Sequence, residues 1–391
     1  MKNYEYKYKL LVLYLLCISA FFASLNQNIY TPIIPLIRDS FDVSLNWVNA
    51  SVGCFIFIMA IVQIILGSFI DNKSQKNIIT IGLIITVIST FLCIFSENFV
   101  TFFIFRIIQA IGTAIIPLVT INMIAKLFDG HSRGSAMATY QILLTLAPAI
   151  APVLGGFIGN IYGFEGIFTF LSVISMILLI SFIFIFPKDK PVQNKIDKSK
   201  SVILTYKNIL SNKEGMTSII LGFFVFFIYF GILVYLPVLL TDHYHISIQI
   251  VGLLYLPLTL SMVIGSFLYK FIQTNIRLQT MFNSVSVLMP LLVILFGLLH
   301  DKNIVLLSII LFIYGLTLGF APPLFSTIIS NTYNENSGAA LGLFNFVRYT
   351  GMALGSLISG VYVVISLNLF FVILGIILIV LSMISFNTRK V

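Results

Sequence analysis

Two arginines of the 391-residue chain, Arg106 and Arg348, lie inside long apolar runs. A cation there must face polar partners or water, because bare lipid would make it cost several kcal/mol. A guanidinium presents five N–H donors in a fixed fork, so the chemistry it could do is capture of an anionic group. No opposite charge sits at the same depth. All 13 acidic residues fall in or next to loops, among them Asp39, Asp42, Asp71, Glu97, Asp242 and Asp301. Polar side chains that share the apolar runs are Asn26, Asn28, Tyr30 and Gln109 in the first half of the chain. In the second half they are Tyr235, Tyr255, Tyr314, Asn345 and the neighbouring Phe344. His243 and His245 end another run and could titrate near neutrality or bind metal, though loop histidines are more often simply solvated.

No other reactive constellation is present. Cys17, Cys54 and Cys93 lie within apolar runs, have no metal-ligand neighbours and read as small buried residues. There is no intramembrane His–acid or Ser–base pairing and no phosphate-cradling glycine loop, so neither an enzyme nor a metal or cofactor site is expected. Without a mid-span carboxylate, three routes for a coupling proton stay open. It could ride on a carboxylate near a helix end (Asp39, Asp42, Asp71 or Asp242), or on an anionic substrate met by Arg106 and Arg348. Otherwise transport is uncoupled.

The elements that must position these groups follow from composition. Hydrophobic residues make up 59% and charged residues 9% of the chain, against about 25% charged in a soluble domain. The mean hydropathy is +1.08. Lipid is therefore the solvent for most of the exterior, and unbroken apolar runs favour helices, which satisfy their own backbone, over barrel strands. Runs of about 20 residues cross a bilayer. They fall at 10–37, 46–70, 77–95, 99–124, 137–161, 166–186, 216–240, 250–271, 280–299, 304–329, 338–364 and 367–386. The fold class is an all-α integral membrane protein with twelve transmembrane helices in two pseudo-symmetric six-helix halves. The segment Lys9–Ala23 resembles a signal peptide but continues into a polar, proline-containing stretch, and reads as the first retained helix.

With the N-terminus inside, only Arg38 and Lys302 of the 22 basic residues face outward, Arg106 and Arg348 lie within spans, and all others face the cytoplasm. The positive-inside bias thus puts both termini in the cytoplasm of a multi-pass protein of the cell membrane. The net charge of +9 is spread over short loops, so nucleic acid is not an expected partner. Residues 1–186 form an N-terminal half and 215–391 a C-terminal half. The linker 187–214 carries seven lysines; its Val202–Leu210 stretch could lie as an amphipathic helix on the inner leaflet or remain a flexible tether.

Several motifs carry a family resemblance. The second run ends Gly67-Ser68-Phe69-Ile70-Asp71-Asn72-Lys73-Ser74-Gln75-Lys76, which resembles the signature loop of the major facilitator superfamily, with Asn72 and Ser74 in place of its usual Arg and second Gly. Arg106-Ile107-Ile108-Gln109-Ala110-Ile111-Gly112 is similar to the superfamily's basic fourth-helix motif. Ala147-Pro148-Ala149-Ile150-Ala151-Pro152-Val153-Leu154-Gly155-Gly156 resembles the antiporter motif of its drug:proton exporters, the bicyclomycin and chloramphenicol resistance type above all. Asn26-Gln27-Asn28-Ile29-Tyr30-Thr31-Pro32 resembles the exporters' first-helix pattern, with Asn28 where an acid is usual. Gly342 to Gly351, containing Phe344, Asn345 and Arg348, is similar to their eleventh helix.

That resemblance implies secondary export of small amphiphilic molecules, drugs or metabolites, by alternating access about a site between halves, driven by a proton gradient and with no other cofactor. It implies a monomer that meets only its small-molecule substrate and the bilayer. Gly67, Asp71, Lys76, Gly112, Pro148, Pro152, Gly155 and Gly156 would be conformational motifs. The departures leave two alternatives: export of an anionic metabolite or metallophore recognised by Arg106 and Arg348, or uptake by the same fold. A receptor or scaffold on a transporter frame would need a soluble partner domain that the sequence does not show.

Overall fold

The computed structural model describes residues 2–67, 74–128, 130–186, 209–273, 275–333, 337–357 and 366–388. Every regular element among them is helical. Ten helices are long and apolar enough to cross a membrane. One of these, Gly130–Ile185, passes through Gly163 with φ 69° and ψ −170°, a conformation that favours glycine, and so comprises the fifth and sixth spans. Ser337–Ser356 is the eleventh; its expected continuation to 364 lies outside the described residues, as do Asp71 and nearly all of the 187–214 linker. The twelve expected spans thus each have a helix.

The first span departs from the single run expected over 10–37. It is a helix Lys2–Asn28, a 3₁₀ turn Thr31–Ile33 and a short helix Ile34–Ser40. Pro32 has no N–H for the Asn28 carbonyl four residues back, and Pro35 follows at once. The Thr31 hydroxyl takes over, donating to Asn28 O at 2.8 Å. The eighth span breaks similarly, into Ile248–Leu254 and Leu256–Ile272, at Tyr255 just before Pro257. The seventh, Lys213–Val238, ends in a π turn, Leu239–His243, which begins two residues beyond Pro237.

Helix starts are written in the sequence. Ser74, Asn98, Asn212 and Asn303 each accept a hydrogen bond from a backbone N–H of the first turn of the third, fourth, seventh and tenth spans. The far end of the sixth span is closed from outside. Lys76 Nζ donates to Ile183 O at 3.1 Å and Phe186 O at 2.8 Å, and Tyr8 donates to Ile185 O. The residue that would otherwise reach Ile183 O is Pro187, which has no N–H. A cation on these carbonyls also suits the negative end of the helix.

The described chain divides into two compact units, Met1–Lys195 with Ser247–Gly252, and Ile196–Ile246 with Leu253–Val391. In the first unit the first span packs on the 130–185 helix and the fourth packs on the second and third. In the second unit the seventh packs on the eleventh, the eighth on the tenth and the ninth on the twelfth. Glycines set the close approaches. A Cβ on Gly112 would strike Gly82 O and Thr86, and one on Gly319 would strike Met262 O and Gly265. The faces turned away from these contacts carry exposed Ile, Leu, Val and Phe, such as Ile104 and Phe184, as a lipid-facing surface requires.

Candidate functional site

Arg106 lies on the fourth span, Phe99–Leu127, and is 2% exposed. It does not run out toward Glu97 at the surface but turns into the first unit. Its Nη1 donates to Gln109 Oε1 one turn on and, at 3.5 Å, to Asn26 Oδ1 of the first span. Gln109 Nε2 in turn donates to Thr90 Oγ1 of the third span at 2.7 Å, and Asn26 Nδ2 to Thr113 Oγ1 at 3.5 Å. The guanidinium carbon also lies 4.1 Å from the Phe55 ring centre, 4.8 Å from Tyr30 and 5.7 Å from Phe168. The first, second, fourth and sixth spans therefore hold one cation with amide oxygens and ring faces, and the third braces Gln109. Among the described residues no carboxylate joins them, and Arg106 Nε has no hydrogen-bond partner.

The break in the first span places two of these ligands. Before it, Asn26 points at Arg106, whereas Asn28, two residues on, turns back to donate to Ser24 O at 2.7 Å. After the break, Tyr30 lies against the guanidinium and its hydroxyl meets Ser51 Oγ of the second span at 2.8 Å. Gly155 of the fifth span lets this irregular backbone close in, since a Cβ there would collide with Ile29 O and Pro32. Gly156 turns to the 247–252 segment of the same unit, where a Cβ would meet Ile248 O and Gly252. The two glycines of the fifth-helix motif thus serve different neighbours.

Hydroxyl groups on other spans satisfy carbonyls that prolines leave free. Pro148 frees Leu144 O, which lies 3.4 Å from the Ser24 hydroxyl. Pro237 frees Leu233 O, which accepts from the Tyr255 hydroxyl at 2.6 Å. Pro323 frees Gly319 O, which accepts from Ser266 at 2.9 Å. Each such bond lets a kinked helix persist in lipid without an orphaned acceptor. Only the prolines were evident in sequence; their hydroxyl partners depend on which spans pack together.

In the second unit, Arg348 is half-buried on the eleventh span, with its guanidinium 5.1 Å from the ring centres of Phe226 and Tyr349. Its Nε has no hydrogen-bond partner, and Asn345 is exposed. Phe344 is fully buried against Gly222 and Phe325. Tyr314 is buried with its hydroxyl unpartnered. Tyr235 lies with its ring 5.6 Å from the His300 ring and 6.2 Å from Phe371. Of the end-of-helix acids, Asp39 pairs with Arg38 at 2.7 Å in solvent and Asp242 accepts from Thr241 at 2.8 Å. His243 and His245 do not converge with other ligands: among the described residues no group of three or more His, Cys, Asp or Glu could hold a metal ion.

Sequence reasoning passed over His300. It follows the last residue of the ninth span, is 1% exposed and directs Nδ1 to Phe296 O at 2.9 Å. A loop-edge histidine beside Asp301 gives no periodic signal, and only the packing of Tyr235 and Phe296 over its ring makes it a buried group.

The sequence pattern of the Major Facilitator Superfamily matches residues 16–356. Relatives include the riboflavin transporter RibZ of Clostridioides difficile, 25% identical over 55% of this chain and 49% of its own length. The bicyclomycin resistance protein homologue of Haemophilus influenzae is 24% identical over 65% of this chain and 64% of its own. The matched stretch therefore spans about half to two-thirds of these two relatives. In three dimensions the chain resembles a bacterial homologue of the human lysosomal transporter Spinster in an inward-facing, unoccupied conformation. The TM-score is 0.81 at 15% identity, with 98% of this chain and 97% of that one covered. A D-xylose–proton symporter follows the same fold, with TM-score 0.76, 15% identity and 97% and 98% coverage. The twelve helices in two pseudo-symmetric halves are the architecture these solved carriers share. The chain belongs to the Major Facilitator Superfamily and is a multi-pass membrane protein.

Proposed function

We propose that this carrier exports small amphiphilic molecules by alternating access, drawing on the proton gradient, with both termini in the cytoplasm and the monomer as the working unit. The observation that carries the reading is Arg106, a guanidinium almost wholly removed from solvent and held by Asn26, Gln109 and three aromatic rings with no counter-charge. A buried ion without a partner costs several kcal/mol. A fold that keeps one in a ring-lined setting is suited to a substrate that brings both an aromatic or apolar body and an electronegative group. Two features of the fifth span support export: its Pro148 and Pro152, and the close approaches at Gly155 and Gly156. Similarity to a bicyclomycin resistance protein homologue points the same way.

A second reading rests on the missing carboxylate. Arg106 and Arg348 would each favour an anionic metabolite, and the citrate exporter of Aspergillus niger is among the relatives, 23% identical over 46% of this chain and 34% of its own length. Efflux from oriented proteoliposomes under an imposed pH gradient separates these cases. Aromatic cations and aromatic carboxylates should be tested side by side, with Arg106→Ala and Arg348→Ala. Export of an amphiphile that collapses with the gradient and is lost in Arg106→Ala supports the reading. Net uptake, or efflux of every substrate unaffected by either substitution, overturns it.

A further inference from the structure

The strongest unassigned feature is the junction where the ninth span meets the end of the seventh. His300 closes the ninth span with its ring stacked on Phe296 at 5.2 Å and edge-on to Tyr235 of the seventh span at 5.6 Å. A carbonyl can only accept, so the bond from Nδ1 to Phe296 O fixes the neutral ring with its proton on Nδ1 and leaves Nε2 as the basic nitrogen. The π turn Leu239–His243 and the residue after it are fastened to this same junction. Tyr244 donates its hydroxyl to His300 O at 2.9 Å, and His243 Nε2 lies 3.2 Å from Asp301 O. A π turn next to a proline is an irregular helix end of the kind often found at functional sites.

We infer that His300 is a proton-binding site, and that protonating it releases the end of the seventh span from the loop between the ninth and tenth spans. The inference rests on the proposed proton coupling and supplies a titratable group where no mid-span carboxylate exists. The junction holds His300 closed between Phe296, Tyr235 and the Tyr244 bond, where an imidazolium would lose its water. The charged and titratable groups around it are Asp301 and Lys302 on its own loop, Tyr235, and Asp242, His243 and Tyr244 on the seventh span's end. Asn368 of the twelfth span bonds the Asp301 carboxylate. Burial pushes the imidazole below the usual histidine range; the Phe296 carbonyl and Asp301 pull it back only in part, and His243 lowers it further.

The sign follows. The closed junction binds the proton more weakly than an opened, wetted one, so acid favours opening and alkali favours closure. As pH falls through the ordinary histidine value, opening should rise by about tenfold for each unit separating the two affinities. On the proposed orientation this junction faces the outside, so external protons would open the outward side as an exporter discharges its substrate.

Hydrogen–deuterium exchange of the 238–246 segment, in detergent and corrected for the intrinsic pH dependence of exchange, reads this directly and needs no transport. The wild type should open severalfold more at pH 5.5 than at pH 7.5. His300→Asn, whose amide can keep the bond to Phe296 O, should lose that dependence, while His243→Asn should retain it. His300→Gln serves if His300→Asn is not monodisperse. A dependence that survives both His300 variants, or that vanishes in His243→Asn alone, overturns the inference. If the exchange result holds but transport ignores the pH gradient, the site stands and the proton-coupled reading falls.

Discussion

Arg106 and Arg348 are the same residue type set in apolar helices, yet they are held quite differently. Arg106 is 2% exposed, with two amide oxygens and three ring faces around its guanidinium, and its amide partners are themselves fixed by Thr90 and Thr113. Arg348 is half-buried, touches two rings, and has an exposed Asn345 one turn away. The contrast separates charge from preorganisation. A cation whose neighbours are locked loses little freedom on binding an anion, whereas a loosely held one must be ordered at that moment.

The sharpest way to break this comparison is to keep the charge and remove the fork. Arg106→Lys cannot reproduce the planar contacts to Asn26, Gln109 and the ring faces, and should lower transport by about a hundredfold, equivalent to roughly 3 kcal/mol. The same change at Arg348 should cost only about threefold. Initial efflux rates at matched protein levels decide; equal losses would mean that the surroundings of Arg106 add nothing.

The next test addresses the backbone that delivers Asn26 and Tyr30. Gly155→Ala would drive a methyl into Ile29 O and Pro32, whereas the position of Gly342 is open space. Overpacking of this kind costs about 1–3 kcal/mol, so Gly155→Ala should lower both the melting temperature and transport, and Gly342→Ala neither. Intermediate in size is Gln109→Leu, which removes an acceptor of Arg106 and the bond to Thr90. It should cost about tenfold in transport, against no measurable change for Asn345→Leu. The smallest effect belongs to Tyr255→Phe, which orphans the Leu233 carbonyl and should cost about 1 kcal/mol of stability, read by thermal unfolding in detergent, with transport retained.

The outline of the molecule was legible because lipid imposes it. Runs of about 20 apolar residues locate the spans to within a few residues. That Arg106 must turn to polar partners was legible for the same reason, since a cation in a span has few places to go; that Asn26 is one of them is shown by packing. What the sequence hid depends on packing between spans. Tyr255 shows in the sequence only as a polar side chain in an apolar run, and its hydroxyl is committed to the carbonyl that Pro237 frees. Phe344, picked out beside Asn345, fills the notch above Gly222. Asn26 and Asn28, two residues apart on one helix, must diverge, but the break after them that sets Tyr30, with the Thr31 hydroxyl on Asn28 O, is a matter of local packing. His300 was missed because nothing local marks a buried loop-edge histidine.

Measuring stability and transport together on Arg106→Leu tests the central claim most directly. Removing an uncompensated buried charge gains stability that offsets the orphaning of Asn26 Oδ1 and Gln109 Oε1, so an apolar side chain of similar size should leave stability little changed. The account predicts a melting temperature close to that of the wild type, with efflux reduced to the level of empty liposomes. Wild-type efflux from a stable Arg106→Leu protein, or loss of efflux only in step with unfolding, would contradict it.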